Sequence, residues 1–266
     1  MDGNAIELAN RPGNLCSDEE WRIRVRLAAC YRIIAHLGWG EMIFNHITMR
    51  LPGPRTHFLI NAFGLLPQEV TASSLVKIDL EGNVVDPGPW PVNRAGFVIH
   101  SALHAARADA HCIIHTHTTA GMAVAQQRDG LVPGNFYSAL MHSRVGYHDF
   151  EGSVVHDDEK PRLVASLGTK NLLILRNHGL LACGATIDEA FFNMWLLQRA
   201  CEAQIAAQTT GVPLIPISNS VLGAHDGAVK QTIKKEGDED DMPALAKGVF
   251  TAMMREIDRA DRSYMN

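Results

Sequence analysis

Apolar and polar positions along this chain recur with two periods, and the switches between them mark the elements. From Ser17 the period is helical. Ser17 stands as an N-cap, Glu20 follows three residues on, and Val25, Leu27, Ala28, Tyr31, Ile34, Ala35 and Leu37 recur at helix spacing until Gly38 and Gly40 end the run. The period then shortens. Residues 43–50 form a β-leaning run with Asn45 and His46 at its centre, Leu51-Pro52-Gly53-Pro54 turns the chain, and residues 57–60 return as the hairpin partner. A tight turn at Gly64 leads to a second expected hairpin, residues 71–79 against 81–85. Pro87-Gly88-Pro89-Trp90-Pro91 is then a rigid connector to a helix over about 97–108, with Asn93 as its cap.

Residues 112–118 read as a strand. Side chains on a strand alternate faces, so His115 and His117 point one way and Ile114 the other. A helix over 119–127 follows and is broken at 130–134. Residues 135–149, carrying Tyr137, His142, Tyr147 and His148 with few apolar anchors, read as a loop forming one wall of a site. A short helix over 161–167 leads to a buried strand, Leu172 to Leu175, that runs into Asn177-His178-Gly179, with residues 180–184 as the other arm of that turn. Thr186 caps a long helix to about Gln208, and Gly211 and Pro213 stop it. Residues 214–242 are turn-rich with a solvated acidic patch at 237–241, and residues 244–262 read as a last helix. The organisation expected is a loose arm over 1–16, one domain over 17–210, and a C-terminal extension over 211–266 whose helix is a candidate oligomer contact.

Composition narrows the function classes. A net charge of −5 with no basic run argues against a nucleic-acid surface. The start of the chain lacks a basic segment followed by an apolar core, and no apolar stretch is long enough to span a bilayer, so cytoplasm is the default and no membrane partner is expected. The five cysteines form no Cys-x-x-Cys pair and read as buried thiols of a reducing compartment.

The candidate chemistry lies in the histidines. His115 and His117 share a face of an otherwise apolar strand, where packing alone calls for no polar ring, and His178 stands at the mouth of a second strand. Three neutral imidazoles with an open side suit one catalytic divalent ion, with Zn, Mn, Fe and Co as candidates.

Seven short stretches, in order, resemble the class II aldolase/adducin family over roughly residues 20 to 210. They are Gly40 with Asn45-His46-Ile47-Thr48-x-Arg50, Phe63-Gly64-Leu65-Leu66, Val70 to Asp79, Val92-Asn93-x-Ala95-Gly96-Phe97, His115-Thr116-His117, Gly146-Tyr147-His148-Asp149 and Arg176-Asn177-His178-Gly179. The resemblance implies an α/β fold, a three-layer α/β/α sandwich around a mostly antiparallel sheet, and a homotetramer with sites near subunit interfaces. It also implies a zinc ion held by the residues matching His115, His117 and His178, and a glutamate acid/base that by the family's spacing falls at about Gly96. Here Asn93-Arg94-Ala95-Gly96 replaces the family's Ser-Ser-Glu, so the proton-transfer carboxylate and part of the phosphate-binding set are absent.

That departure points to a metal-dependent carbon–carbon lyase that needs no enolising carboxylate: a decarboxylase of a small hydroxylated aromatic, heteroaromatic or oxo carboxylic acid. In that reading Arg94 grips the substrate carboxylate with its planar fork, and His46, His148 or Tyr137 supplies the proton that replaces CO2. Asn45, Gly64, Asn93 and Arg94 are the candidate substrate contacts. Three alternatives stay open: a retro-aldol cleavage, a non-haem iron oxygenase, and a non-enzymatic binding module like the adducin branch.

Overall fold

The computed structural model describes residues 16–266 apart from 54, 55, 87, 93, 153–156 and 225–241, and leaves the side chains of residues 94, 95 and 157 undescribed. The loose arm up to residue 15, the cap assigned to Asn93 and the acidic patch therefore lie outside the described residues.

One seven-stranded sheet organises the chain, in the order β3-β2-β1-β4-β7-β6-β5. The strands are β1 (His46–Arg50), β2 (Phe58–Ile60), β3 (Val76–Ile78), β4 (Cys112–Thr116), β5 (Val145–His148), β6 (Leu172–Leu175) and β7 (Gly179–Gly184). Every neighbouring pair is antiparallel except β5 with β6. The expected hairpin over 71–85 shrinks to β3 and one antiparallel bridge, Ile78 to Val84, with the other edge of β3 paired to β2.

Period-two burial sorts the sheet's two faces. Cys112, Ile114, Leu172, Ile174, Leu180 and Ala182 face one layer of helices: α1 (Asp18–His36), α3 (Thr119–Ala125), α6 (Ile187–Thr209) and α7 (Met242–Ala260). Ile113, Leu173, Leu175, Leu181 and Cys183 face α2 (Arg94–Ala106) and α5 (Lys160–Leu167) through Ile99, Leu103, Leu163 and Leu167. The result is the three-layer sandwich that the resemblance implied, with a mixed, mostly antiparallel sheet.

Two expectations need correction. Residues 135–149 are not a loop: Asn135 and Ser138 cap each other to start α4 (Phe136–Met141), and Val145–His148 is an edge strand. The few apolar residues sufficed because Ser138, Met141, Val145 and His148 turn inward. Helix α2 begins at Arg94, three residues ahead of the expected start, which brings Gly96 into its first turn. The terminal helix buries Ala246, Phe250 and Ile257, Phe250 meeting Phe191 of α6 at 5.6 Å between ring centroids, and leaves Leu245 exposed. No helix among the described residues is long and apolar enough to cross a membrane.

Candidate metal centre

Antiparallel pairing of β1 with β4 sets His46 opposite His115, and Ile47 opposite Ile114. His46, Thr48 and His115 therefore share the face that looks at α2, while Ile47 goes to the opposite core. Strand β4 ends at Thr116, one residue short of His117, and the Thr118 hydroxyl accepts from the Gly121 N–H to start α3. His117 is thus held between a strand end and a helix cap. His178 arrives from the other side on the β6–β7 turn, where Asn177 takes a left-handed backbone (φ 55°), a conformation asparagine tolerates better than most residues. Gly179 then passes against β4 so closely that a Cβ there would lie 2.4 Å from the Thr116 carbonyl oxygen and 3.0 Å from His117 Cδ2. Glycine is what lets this turn carry its histidine up to the other two.

The three rings converge. Nε2 of His178 lies 3.3 Å from Nε2 of His115 and 3.1 Å from Nε2 of His117. Among the described residues, these side chains are the group whose donor atoms could hold one metal ion, all lying within 4.8 Å of one another. The bonds made by the other ring nitrogens say which atoms are free. His115 Nδ1–H donates to the Leu180 carbonyl at 2.8 Å, because a carbonyl can only accept, so its Nε2 carries a lone pair. His117 Nδ1 lies 3.0 Å from Glu41 Oε2, which in the same way leaves its Nε2 bare. Burial and the neighbouring His117 push His178 down to about 4, and burial also lowers His115 and His117, so all three rings are neutral at pH 7. A proton on His178 Nε2 could satisfy only one of the two lone pairs facing it. A cation satisfies all three, and donors about 2.0–2.1 Å from a tetrahedral ion stand about 3.3 Å apart, close to the two distances that His178 makes here. The donor set fits a divalent metal.

Glu41 owes its place to Asn45. The buried Asn45 side chain accepts from the Glu41 N–H and donates to the Trp39 carbonyl at 3.5 Å, tying off the loop that carries Glu41 to His117. Both of its polar ends are committed to that loop.

His46 is the remaining candidate in contact with this centre, its ring centroid 5.1 Å from that of His115. Its Nδ1 lies 2.9 Å from Nε2 of His100 on α2. A Cβ at Gly96 would fall 2.4 Å from His46 Cδ2 and 2.6 Å from His46 Nε2, so the imidazole occupies the space that a side chain at position 96 would need.

The other candidates are placed differently. His148 is buried with Nδ1 3.0 Å from Ser166 Oγ and Nε2 3.0 Å from Glu159 Oε1, and it lines a small cavity shared with His178, Ile99, Phe150 and Arg176. Tyr137 packs its ring on Trp195 and under Arg199, both from α6. Gly64 sits in an exposed turn at φ 99°. Arg94 opens α2, two residues ahead of Gly96; its side chain and all of Asn93 lie outside the described residues.

Sequence reasoning missed Glu41, Glu159, His100 and His104. For the last two a signal was present, since Gly96, His100 and His104 recur every four residues on one helix face.

Comparison with known proteins agrees with this architecture. A crystal structure of an aldolase II superfamily protein from Pseudomonas syringae superposes with a TM-score of 0.87 at 42% identity, covering 94% of this chain and 98% of that one. The structure of an L-fuculose 1-phosphate aldolase from Glaciozyma antarctica gives 0.77 at 28% identity, over 97% and 98%. Rat alpha-adducin is 49% identical over 186 residues, which are 69% of this chain and 25% of the adducin. The family model described as the class II aldolase and adducin N-terminal domain matches residues 25–205, and with most of its length inside that match this chain belongs to the class II aldolase/adducin family.

Proposed function

We propose that this protein is a metal-dependent carbon–carbon lyase that decarboxylates a small hydroxylated aromatic, heteroaromatic or oxo carboxylic acid. The observation that carries the reading is the His46 ring standing beside three convergent imidazoles, in the space of a side chain at Gly96. His115, His117 and His178 hold the ion, with Zn, Mn, Fe and Co as candidates. When bound, it supplies a Lewis acid that draws negative charge from the reacting carbon.

The remaining work falls to the chain's own groups. Arg94, at the start of α2, grips the substrate carboxylate with its fork. Where the substrate is hydroxylated, His46 Nε2 takes the proton of its hydroxyl. The bond to the carboxylate carbon then breaks, CO2 leaves, and its electron pair stays on the substrate. His46 returns its proton to that carbon, and a solvent proton restores the hydroxyl. His148, with both nitrogens engaged and a cavity shared with His178, serves as a wall of the pocket.

The exposed apolar side chains of Met42 and Phe44, on the loop beside Glu41, support a homotetramer with the site near a subunit interface.

Metal analysis of the purified protein, followed by a CO2-release screen over hydroxylated benzoates and pyridine carboxylates, tests the reading. Release that depends on the metal and falls in Arg94→Ala supports it; a loaded protein that releases no CO2 across the screen overturns it. The likeness to the fuculose phosphate aldolase favours retro-aldol cleavage as a second reading, which predicts a condensation product from an aldehyde and a 2-oxo acid. The identity with alpha-adducin favours a binding module, for which neither assay gives turnover.

A further inference from the structure

Behind His46 runs a line of buried polar groups that the metal centre does not use. Gly96, His100 and His104 lie on the inner face of α2, and His46 and Thr48 lie on the face of β1 opposite them. His46 Nδ1 is 2.9 Å from His100 Nε2, His100 Nδ1 is 2.7 Å from Thr48 Oγ1, Thr48 Oγ1 is 2.7 Å from His104 Nε2, and His104 Nδ1 is 2.9 Å from the Ala110 carbonyl oxygen. Thr48 and His100 are fully buried, and His46 and His104 nearly so. Such groups cost several kcal/mol to bury unless each finds a partner, whereas an apolar stripe here would cost nothing.

The line has a direction, and its far end sets it. The Ala110 carbonyl can only accept, so His104 Nδ1 carries the proton and its Nε2 is a lone pair. That lone pair takes the single proton of the Thr48 hydroxyl. The Thr48 oxygen then accepts from His100 Nδ1–H, which leaves His100 Nε2 bare, and that nitrogen accepts from His46 Nδ1–H. His46 Nε2 is left without a proton at the mouth of the three-histidine centre. Burial holds His104 at about 3 and lowers His100 well below its usual range, so no second proton blurs the assignment.

We propose that this relay is a positioning device: the Ala110 carbonyl, His104, Thr48 and His100 write one tautomer into His46 and present its bare Nε2 to the metal centre as the proton acceptor of the reaction. The last clause rests on the lyase reading; the tautomers do not. His100, Thr48 and His104 are positioning residues that act through His46.

The test is a 15N spectrum of histidine-labelled, sedimented protein at neutral pH, with signals assigned by His46→Gln, His100→Gln and His104→Gln. The wild-type protein is expected to show His46, His100 and His104 all protonated at Nδ1 and bare at Nε2. An Nε2-protonated His46 would overturn the proposal. Thr48→Val removes both the donor to His104 and the acceptor from His100, so His46 and His100 are expected to become tautomer mixtures. Thr48→Ser should restore the single pattern. Metal content should be the same in all three proteins, and CO2 release should drop roughly 10–100-fold in Thr48→Val alone. Unchanged tautomers in Thr48→Val would also overturn it. If the wild-type pattern holds and no carboxylate turns over, the relay stands and the lyase reading falls. Turnover with a different pattern does the opposite, keeping the lyase and removing the relay.

Discussion

Substituting Gly179 by alanine should separate the histidines without replacing any of them. The new Cβ would fall 2.4 Å from the Thr116 carbonyl oxygen, 3.0 Å from His117 Cδ2 and 3.3 Å from His115 Cε1. Carbon atoms do not approach within 3.0 Å of such neighbours, so β7 and β4 must part by roughly 0.6 Å at the residue next to His178. A backbone oxygen inside a sheet cannot swing aside as a side chain does, and the overpacking should cost about 1–3 kcal/mol. The effect on metal should be larger than that on folding. Ligand distances in such sites tolerate about 0.2 Å, so a shift three times that size should weaken metal binding at least roughly 10-fold. Urea unfolding of the metal-free proteins and calorimetric titration with Zn(II) or Mn(II) measure the two effects separately. Metal affinity equal to wild type in a folded Gly179→Ala protein would refute the claim that close approach at this glycine assembles the site.

Other perturbations probe the parts around it. Gly96→Ala places a Cβ 2.4 Å from the His46 ring, so it should break the bond from His46 to His100 and lower activity more than metal content, which elemental analysis and CO2 release will separate. Glu41→Gln leaves His117 in place but removes the carboxylate from its Nδ1; metal affinity should fall roughly 10-fold, and calorimetry showing no change would remove Glu41 from the site. The metal-free protein should lose stability in acid. Burial holds His104 at about 3 in the folded state against roughly 6.5 unfolded, so the unfolded chain binds the extra proton first. That contribution is complete above about pH 6.5 and is lost as pH falls toward 3, at about 1.4 kcal/mol per pH unit. The buried rings of His46, His100 and His115 add to it in the same sense. Urea midpoints that stay level from pH 7 to pH 5 would contradict this.

Much of the frame was legible because period and punctuation agree. Ser17 and Thr186 each cap the helix they were expected to start, and the β1–β4 register gives His115 the face that the period-two reading assigned it, with His117 one residue past the strand end. The third histidine could be placed because Asn177 and Gly179 flank it, and both do local work in the turn. What escaped was set by partners distant in sequence. Val145 to His148 is a strand because Leu172 to Leu175 lies beside it, and nothing in four residues with one apolar anchor announces that pairing. Glu41 reaches His117 only through a loop tied by Asn45, and the relay needs a helix register set against a strand register, a relation no window along the chain contains.

The proposed chemistry depends throughout on His115, His117 and His178 closing on one divalent ion. Equilibrium titration of metal-stripped protein with Zn(II) or Mn(II), read by calorimetry and by elemental analysis after dialysis, tests this most directly. One equivalent per chain is predicted, lost in His115→Ala, His117→Ala and His178→Ala alike. Failure of the wild-type protein to take up an ion, or a full equivalent retained in any of the three variants, would contradict it.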